Sequence, residues 1–194
     1  MLELAPWRSD LSRALHRNRS LVYARYAQLA TVQANHRPAN RTVVFRGFLE
    51  DSNTLKFVTD RRSNKVEQIA ENPWGALCWY FPKTREQFRI SGELAVITAL
   101  EKDAALLRLR ETAWLALSEG ARTQFAWPDP GQPKNRSEVA SQEPTDFSIS
   151  LETFCLLLLA PQTVDHLELR EQPHCRCSYT LKADDTWQQQ ALNP

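Results

Sequence analysis

The chain has 194 residues, 42% of them hydrophobic, so a domain with a sizeable core is expected. Its 24 Lys and Arg residues nearly balance 23 Asp and Glu residues, which leaves a formal net charge of +1. This balance gives no electrostatic argument for nucleic acid or a membrane surface as a partner. No long apolar run opens the chain, so we predict neither a signal peptide nor a transmembrane segment, and a cytoplasmic location.

The cysteine spacing argues against a zinc or disulfide-exchange motif. Cys78, Cys155, Cys175 and Cys177 form no CxxC pair. Cys175 and Cys177 would share one strand face, but no second Cys or His pair has ligand spacing. We therefore expect reduced, partly buried thiols and no metal site.

Residue patterns predict an alternation of short strands and few helices over the first half of the chain. Apolar periodicity from Ser9 indicates a helix that fades near Asn18. The segments that follow are, in chain order, strands at 27–32, 41–49 and 54–59, a short helix after Ser63, and a strand pair at 75–81 and 87–98.

The second half is predicted to hold the longest helix and the closing strands. The capping-box spacing of 98–101 indicates that this helix starts there and continues through Leu117. Residues 128–149 are expected to form a long loop, which could act as a lid, a dimer arm or a disordered segment. In 150–194, strands are predicted at 154–160, 164–169, 175–181 and 186–191. We predict a single, mainly β (α+β) domain over 1–194, built as a closed antiparallel barrel with peripheral helices.

Cationic side chains cluster in two segments that could hold a phosphate. One is Arg41-Thr42-Val43-Val44-Phe45-Arg46, and the other runs from Thr59 to Lys65. The chain has only 5 Gly and neither a GxGxxG nor a GxxxxGK pattern, so a glycine-rich phosphate loop is absent. Arg, Lys and a helix N-terminus would bind the phosphate instead. Because Arg41 and Arg46 are five residues apart, both could reach one ligand only if the strand bends or the ligand sits across its end.

These segments resemble, in order, the FMN-binding blocks of the pyridoxamine phosphate oxidases. The similarity starts at Leu29-Ala30-Thr31-Val32 and Pro38 and continues through the 41–46 segment. Phe57-Val58-Thr59 and Ser63-Asn64-Lys65 are similar to the second block, which binds the FMN phosphate. The similarity then continues through the following segments: Asn72-Pro73, Trp79-Tyr80, 87–92, 174–176 and 192–194.

The resemblance implies an FMN-binding split β-barrel that works as a homodimer. The residues it assigns to FMN on one chain are Arg41, Thr42, Val43, Val44, Arg46, Thr59, Ser63, Asn64 and Lys65. Gln87 and Arg176 would reach the flavin from the second subunit. Asn64 stands where the family has an arginine, so Arg61 or Arg62 is a candidate to replace that cation.

The resemblance is weaker on the substrate side. The family's Arg-x-His pattern is here Gln172-Pro173-His174, which keeps the histidine and loses the arginine. His174 is the candidate catalytic residue, and Arg46, Arg122 and His174 are the candidates for binding a small-molecule substrate. We therefore expect weak or absent oxidation of pyridoxine or pyridoxamine phosphate, unless a loop cation such as Arg136 closes over the site.

Three functions remain open at this point. The first is an FMN-dependent oxidoreductase similar to pyridoxamine phosphate oxidase, in which the flavin does the chemistry. The second is a flavin reductase-like or flavin-carrying protein without that oxidase activity. The third is a barrel that keeps the dimer and has lost the cofactor.

Overall fold

The computed structural model describes residues 4–133 and 146–194. Within these residues, eight antiparallel strands form one sheet in the order β2-β1-β4-β5-β6-β7-β8, and β3 pairs with β6. The strands are β1 Tyr26–Val32, β2 Pro38–Val44, β3 Leu55–Asp60, β4 Trp74–Phe81, β5 Glu86–Ile97, β6 Phe154–Glu168, β7 Cys175–Leu181 and β8 Trp187–Leu192. The helices are α1 Pro6–Asn18, α2 Asn64–Glu71, α3 Ala104–Leu115 and α4 Glu119–Thr123, with 3-10 turns at Val22–Arg25 and Gln124–Ala126.

The core lies on one face of the curved sheet and is rich in aromatic side chains. Phe57, Trp79, Phe81 and Phe88 are fully buried there. Helix α1 closes this core with Trp7, whose ring meets Trp187 edge-on at 5.7 Å. Burial of Trp7 therefore stabilises helix α1, whose N-terminus has no side-chain capping hydrogen bond.

A second, smaller core lies under α3 and α4. Trp114, Phe125 and Phe154 pack there with ring centroids 5.0–5.8 Å apart. Arg110 is buried beside them and its guanidinium donates to the Phe154 carbonyl at 2.9 and 3.1 Å. This cluster fixes α3 and α4 on the outer side of the β3–β6 pair.

The mainly β fold class with peripheral helices is confirmed, while several predicted boundaries were wrong. Helix α1 begins at Pro6, because proline suits the first helical turn, and not at Ser9. Helix α3 begins at Ala104, where the Asp103 carboxylate accepts from the backbone amides of Ala105 and Leu106. The Thr98 hydroxyl accepts from the Leu100 amide, and the Thr98 carbonyl accepts from the Glu101 amide, within a turn that precedes the helix.

The strand boundaries differ in two places. Strand β2 covers Pro38–Val44, earlier than the predicted 41–49. The predicted strands at 154–160 and 164–169 form one strand, β6. The single-domain division and the 128–149 loop stay predictions, and Arg136 lies outside the described residues. No helix in the described ranges is both long and apolar enough to cross a membrane.

Candidate functional site

A cavity of about 640 Å³ lies between the end of β2, the end of β3 and the α4 region. Its lining includes six of the residues predicted to bind the cofactor: Thr42, Val43, Val44, Arg46, Thr59 and Lys65. The opposite wall comes from the α4 region and the segment after it, including Phe125 and Trp127. The fold therefore brings the 42–46 and 59–65 segments, which are apart in the sequence, to the same cavity.

Lys65 carries the charge on the inner side of this cavity. Strand β3 ends at Asp60 and α2 starts after Ser63, so Lys65 lies in the first helical turn. Its Nζ donates to Thr59 Oγ1 at 2.8 Å and to Ser63 Oγ at 2.7 Å. Burial, and next the nearby charge of Arg41, lower the pKa of the Lys65 ammonium. No ion pair among the described residues includes Lys65, so its charge is available to an anionic ligand.

Arg41 stands behind Lys65 rather than on the cavity surface. Its Nη1 donates to Thr31 Oγ1 at 2.6 Å and to the Leu29 carbonyl at 3.2 Å, and its Nη2 donates to Gln68 Oε1 at 3.0 Å. Burial lowers the pKa of its guanidinium. Arg41 therefore joins β1 to α2 and adds positive potential near Lys65. Its direct contact with a phosphate stays a prediction.

Arg46 reaches the cavity because the chain turns after β2. The strand ends at Val44, and the Arg46 amide donates to the Lys56 carbonyl of β3 at 2.8 Å. Gly47 then takes a φ of 112°, a value that glycine adopts without strain. The strand thus ends between Arg41 and Arg46, and the contact of both with one ligand stays a prediction. In the described ranges, the Arg46 side chain has neither a hydrogen bond nor an ion pair.

The cations near Asn64 have different roles. The Arg62 guanidinium binds the Asp60 carboxylate at 2.7 Å and Asp129 at 2.9 Å, which fixes the segment after α4. The Asp60 hydrogen bond raises the Arg62 pKa despite partial burial. Arg62 is thus engaged, and Arg61 is the exposed cation left to replace the arginine missing at Asn64. Neither Asn64 nor Arg61 lines the cavity.

Gln87 and Arg176 lie elsewhere, on the open face of the sheet. Arg176 donates to the Asp165 carboxylate at 2.8 and 3.0 Å, and Arg89 reaches the same carboxylate at 3.0 Å. Gln87 is half-buried on β5, opposite Leu167. Within one chain, neither residue lines the Lys65 cavity.

The substrate candidates are not assembled in one chain. Arg122 donates to the carbonyls of Trp114, Leu115 and Phe147 at 3.1, 2.8 and 3.2 Å, so it satisfies the end of α3. His174 Nδ1 lies 2.8 Å from the Glu171 carbonyl, just before β7. Neither lines the cavity, and both assignments stay predictions.

Sequence reasoning missed the outer wall of the cavity. Tyr26, Gln124, Trp127 and Pro130 contribute to the lining, although no local motif marks them. Arg62 donates to the Trp127 carbonyl and to Asp129, 67 positions away in the sequence, and so holds the Trp127–Pro130 part of this wall. An exposed tryptophan beside a proline was the only available signal.

The residues fit an FMN phosphate. Lys65 is partly buried, its hydrogen-bond partners in residues 4–133 and 146–194 are hydroxyls, and Arg41 lies nearby, so the site favours a ligand with negative charge. Cys155, opposite Thr59 on β6, is a poor nucleophile because burial raises its pKa to about 11. The pattern is that of a binding site rather than of a cysteine-based catalytic centre.

Comparisons with known proteins agree with this interpretation. Residues 4–98 match the family model described as "Pyridoxamine 5'-phosphate oxidase, FMN-binding domain". A pyridoxamine 5'-phosphate oxidase-related, FMN binding protein from Nostoc punctiforme has a crystal structure with a TM-score of 0.94 and 53% identity. That match covers 99% of this chain and 100% of the other. PhzG from Burkholderia lata, at 19% identity and a TM-score of 0.76, covers 96% of this chain and 92% of its own and shows the shared fold alone.

The family follows from a relative that matches over nearly the full length. The Arabidopsis thaliana protein named "Pyridoxine/pyridoxamine 5'-phosphate oxidase 2" is 41% identical, and the alignment covers 98% of both chains. The predicted resemblance, the split-barrel fold and FMN as the family's cofactor are therefore confirmed. The chain belongs to the pyridoxamine 5'-phosphate oxidase-related family of FMN-binding proteins.

Proposed function

We propose that the protein is an FMN-dependent oxidoreductase whose cofactor lies in the Lys65 cavity. The observation that carries this proposal is the Lys65 ammonium, whose hydrogen-bond partners among the described residues are the hydroxyls of Thr59 and Ser63. Lys65, Thr59 and Ser63 would hold the phosphate, and the 42–44 backbone would lie along the rest of the cofactor. Bound FMN would supply a hydride acceptor. Phe125 and Trp127 would limit the access of water from the opposite wall.

We propose that the substrate is a small molecule. Relatives named as pyridoxine/pyridoxamine 5'-phosphate oxidases make the two phosphorylated vitamers the first compounds to assay. Gln172 offers no positive charge, and Arg122 is bound to three carbonyls. We therefore keep the expectation that turnover of these vitamers is weak.

The lack of a positive charge at Gln172 and the bonding of Arg122 to three carbonyls also favour one alternative function. A flavin reductase-like or flavin-carrying protein needs the cofactor site. It does not need a cation at position 172 or 122 that binds the phosphate of a substrate. A panel of oxidisable amines and alcohols, with both vitamers included and peroxide detected, separates the two functions. Turnover of a vitamer at the rate of an authentic oxidase would exclude the alternative and the expectation of weak turnover.

We further propose a cytoplasmic homodimer that does not bind nucleic acid. Three large aromatic side chains, Tyr26, Trp74 and Tyr80, are exposed on the open sheet face that also holds Gln87 and Arg176. Tyr26 also lines the Lys65 cavity, so the cavity borders this face. A second chain on the face could bring its Gln87 and Arg176 to the flavin. The near-neutral net charge supports the absence of a nucleic-acid partner.

The cofactor part of the proposal has a direct test. Purified protein is heated, and the released material is analysed by chromatography against FMN and FAD. We expect FMN, since the site holds one phosphate near Lys65 and the chain has no dinucleotide fingerprint. Recovery of FAD would exclude the proposed site, and protein without flavin that also fails to bind added FMN would support a barrel that has lost its cofactor.

A further inference from the structure

A cluster of one histidine and two glutamates lies where β5 begins and β6 ends. Its members are Glu86, His166 and Glu168, and none of them lines the Lys65 cavity. Glu86 is opposite Glu168 in the β5–β6 pair, and His166 is two residues earlier on β6, so the three side chains share one face of the sheet. Glu86 and His166 are almost completely buried, while Glu168 is half-exposed and opens the cluster to solvent.

The distances within this cluster suit a metal ion. His166 Nε2 lies 3.0 Å from Glu86 Oε2 and 3.9 Å from Glu168 Oε1. One ligand atom from each of the three residues lies within 4.8 Å of the other two. A tetrahedral zinc ion with ligands at about 2.1 Å keeps its ligand atoms about 3.4 Å apart. The two measured distances bracket that spacing, so shifts of roughly half an ångström would admit the ion.

The charges of the cluster also favour a divalent cation. In the described ranges, no ion pair joins Glu86 or Glu168 to a lysine or an arginine. The ion-pair partner that they share is His166, whose ring can carry one positive charge against two carboxylates. A divalent ion would balance both carboxylates and leave the imidazole neutral, which is the form that binds metals.

The second nitrogen of the His166 ring faces a carboxylate, as is usual for a histidine that binds a metal. His166 Nδ1 lies 4.0 Å from Asp10 Oδ2 of α1, and Arg13 pairs with the same carboxylate at 2.9 Å. Such a carboxylate fixes the ring and its tautomer. The ring also stacks on Phe88 at 4.0 Å. The ring orientation is therefore set by groups that a bound ion would not displace.

The spacing of residues in the sequence could not predict this cluster. The expectation of no metal site depended on the cysteines and on the lack of a second Cys or His pair with ligand spacing. Glu86 and His166 are 80 positions apart, and the strand register brings them together. The exposed Cys175 lies opposite Glu168 on β7, so its thiol is a competing zinc ligand that an experiment must separate from the cluster.

We propose that Glu86, His166 and Glu168 form a structural zinc site, with water in the fourth position on the exposed side of Glu168. Zinc accepts a set of imidazole nitrogen and carboxylate oxygens, whereas magnesium prefers oxygen ligands alone. Zinc replaces the proton in the hydrogen bond between His166 and Glu86, so the remaining ring proton lies on Nδ1, towards Asp10. The bound ion would tie β5 to β6 beside α1.

Zinc binding is measured on the full-length, flavin-loaded protein after treatment with EDTA and removal of the chelator. Calorimetric titration with zinc chloride should show one zinc per chain with a dissociation constant of about 1 µM or lower. Zinc should also raise the unfolding temperature, because it binds the folded chain. An excess of magnesium chloride should not displace it.

Glu168→Gln is the variant that tests the ligand set, because its half-exposed side chain can be changed without opening the core. We expect it to keep its flavin and to bind zinc at least about tenfold more weakly. Glu93→Gln is the matched control, since Glu93 is exposed at the other end of β5. Cys175→Ser is the second control. Both controls should bind zinc as the wild type does.

Each other result would overturn the site. No zinc binding, or equal affinity in the wild type and Glu168→Gln, would show that the cluster is not a metal site. Weaker binding in Glu93→Gln or Cys175→Ser would assign the ion to surface carboxylates or to the thiol. Displacement by magnesium would exclude the histidine as a ligand. Zinc binding with the expected pattern in protein that holds no FMN would support the site and count only against the proposed function.

Discussion

Lys65 is the residue on which the cofactor site depends most. Its ammonium has two hydroxyl partners and no carboxylate in the described ranges, so FMN phosphate would complete its surroundings. Lys65→Ala is expected to weaken FMN binding at least tenfold, because a hydrogen bond to a charged group contributes about 1.5–3 kcal/mol. Fluorescence titration of apoprotein with FMN measures this. Lys102→Ala, on an exposed turn, should bind as the wild type does, and unchanged affinity in Lys65→Ala would contradict the site.

The lowered pKa of Lys65 predicts a pH dependence. Burial and Arg41 make the ammonium lose its proton at a lower pH than an ordinary lysine. FMN affinity should therefore fall as pH rises, and the apoprotein should gain stability over the same interval, since its folded state releases that proton more readily. Dissociation constants measured from about pH 7 to about pH 9.5 test the sign. Lys65→Arg should flatten the alkaline fall, and an equal fall in that variant would assign it to another group.

Glu86 carries a prediction about stability. It is buried, and its Oε2 lies 3.0 Å from His166 Nε2, while the His166 ring stacks on Phe88 at 4.0 Å. Burial alone would raise the pKa of Glu86, but hydrogen bonds from His166 and Thr84 hold it below its ordinary value. The ionised form therefore stabilises the fold above the unfolded-state pKa, and this stabilisation is lost as pH falls through the folded-state pKa.

Glu86→Gln should lower the free energy of unfolding by about 2–3 kcal/mol at neutral pH. On acidification, the variant should lose less stability than the wild type. Urea unfolding at about pH 7 and about pH 4 measures both effects. The control is Glu168→Gln, because the Glu168 side chain is half-exposed and 3.9 Å from His166. If the control costs as much as Glu86→Gln, the hydrogen bond of Glu86 is not the source of the stability.

At the level of elements, the β5–β6 pair depends on one glycine. The register shifts between Ser91 and Gly92, and Gly92 lies opposite Pro161. A Cβ on Gly92 would lie 2.0 Å from the Ala160 carbonyl oxygen. Gly92→Ala should therefore lower the free energy of unfolding by at least about 2 kcal/mol. Gly120→Ala, on α4 with open space around it, should be neutral or stabilising by up to about 1 kcal/mol. Thermal unfolding of both variants tests the contrast.

The same pair shows which elements a sequence can predict. The change from a continuous apolar run at 154–160 to alternation at 164–169 predicted two strands, yet β6 continues through Pro161 because the register with β5 shifts there. The capping-box spacing of 98–101 predicted the start of α3 too early, because the Asp103 carboxylate, and not Thr98, caps the helix. The 41–46 and 63–65 segments were recognised because their chemistry is local. The wall with Trp127 was not, because a distant Arg62–Asp129 contact positions it.

At the level of the whole molecule, we expect a homodimer whose flavin needs both chains. The Lys65 cavity borders the open sheet face through Tyr26, and the other predicted flavin contacts, Gln87 and Arg176, lie on that face. Exposed aromatic side chains there would be buried by a second copy, which gives the association an apolar driving force. Light scattering should give about twice the chain mass of 22.3 kDa.

Tyr80→Glu is the substitution that tests this arrangement. Tyr80 is 47% exposed on β4, opposite Gln87, so a carboxylate should leave the folded chain intact and oppose burial of the face. We expect a monomer that retains little FMN. Leu100→Glu is the control, because Leu100 is 72% exposed in a turn outside the sheet and should keep both the dimer and the flavin. A flavin-loaded monomer would refute the shared site, and a Tyr80→Glu dimer with full flavin would place the interface elsewhere on the molecule.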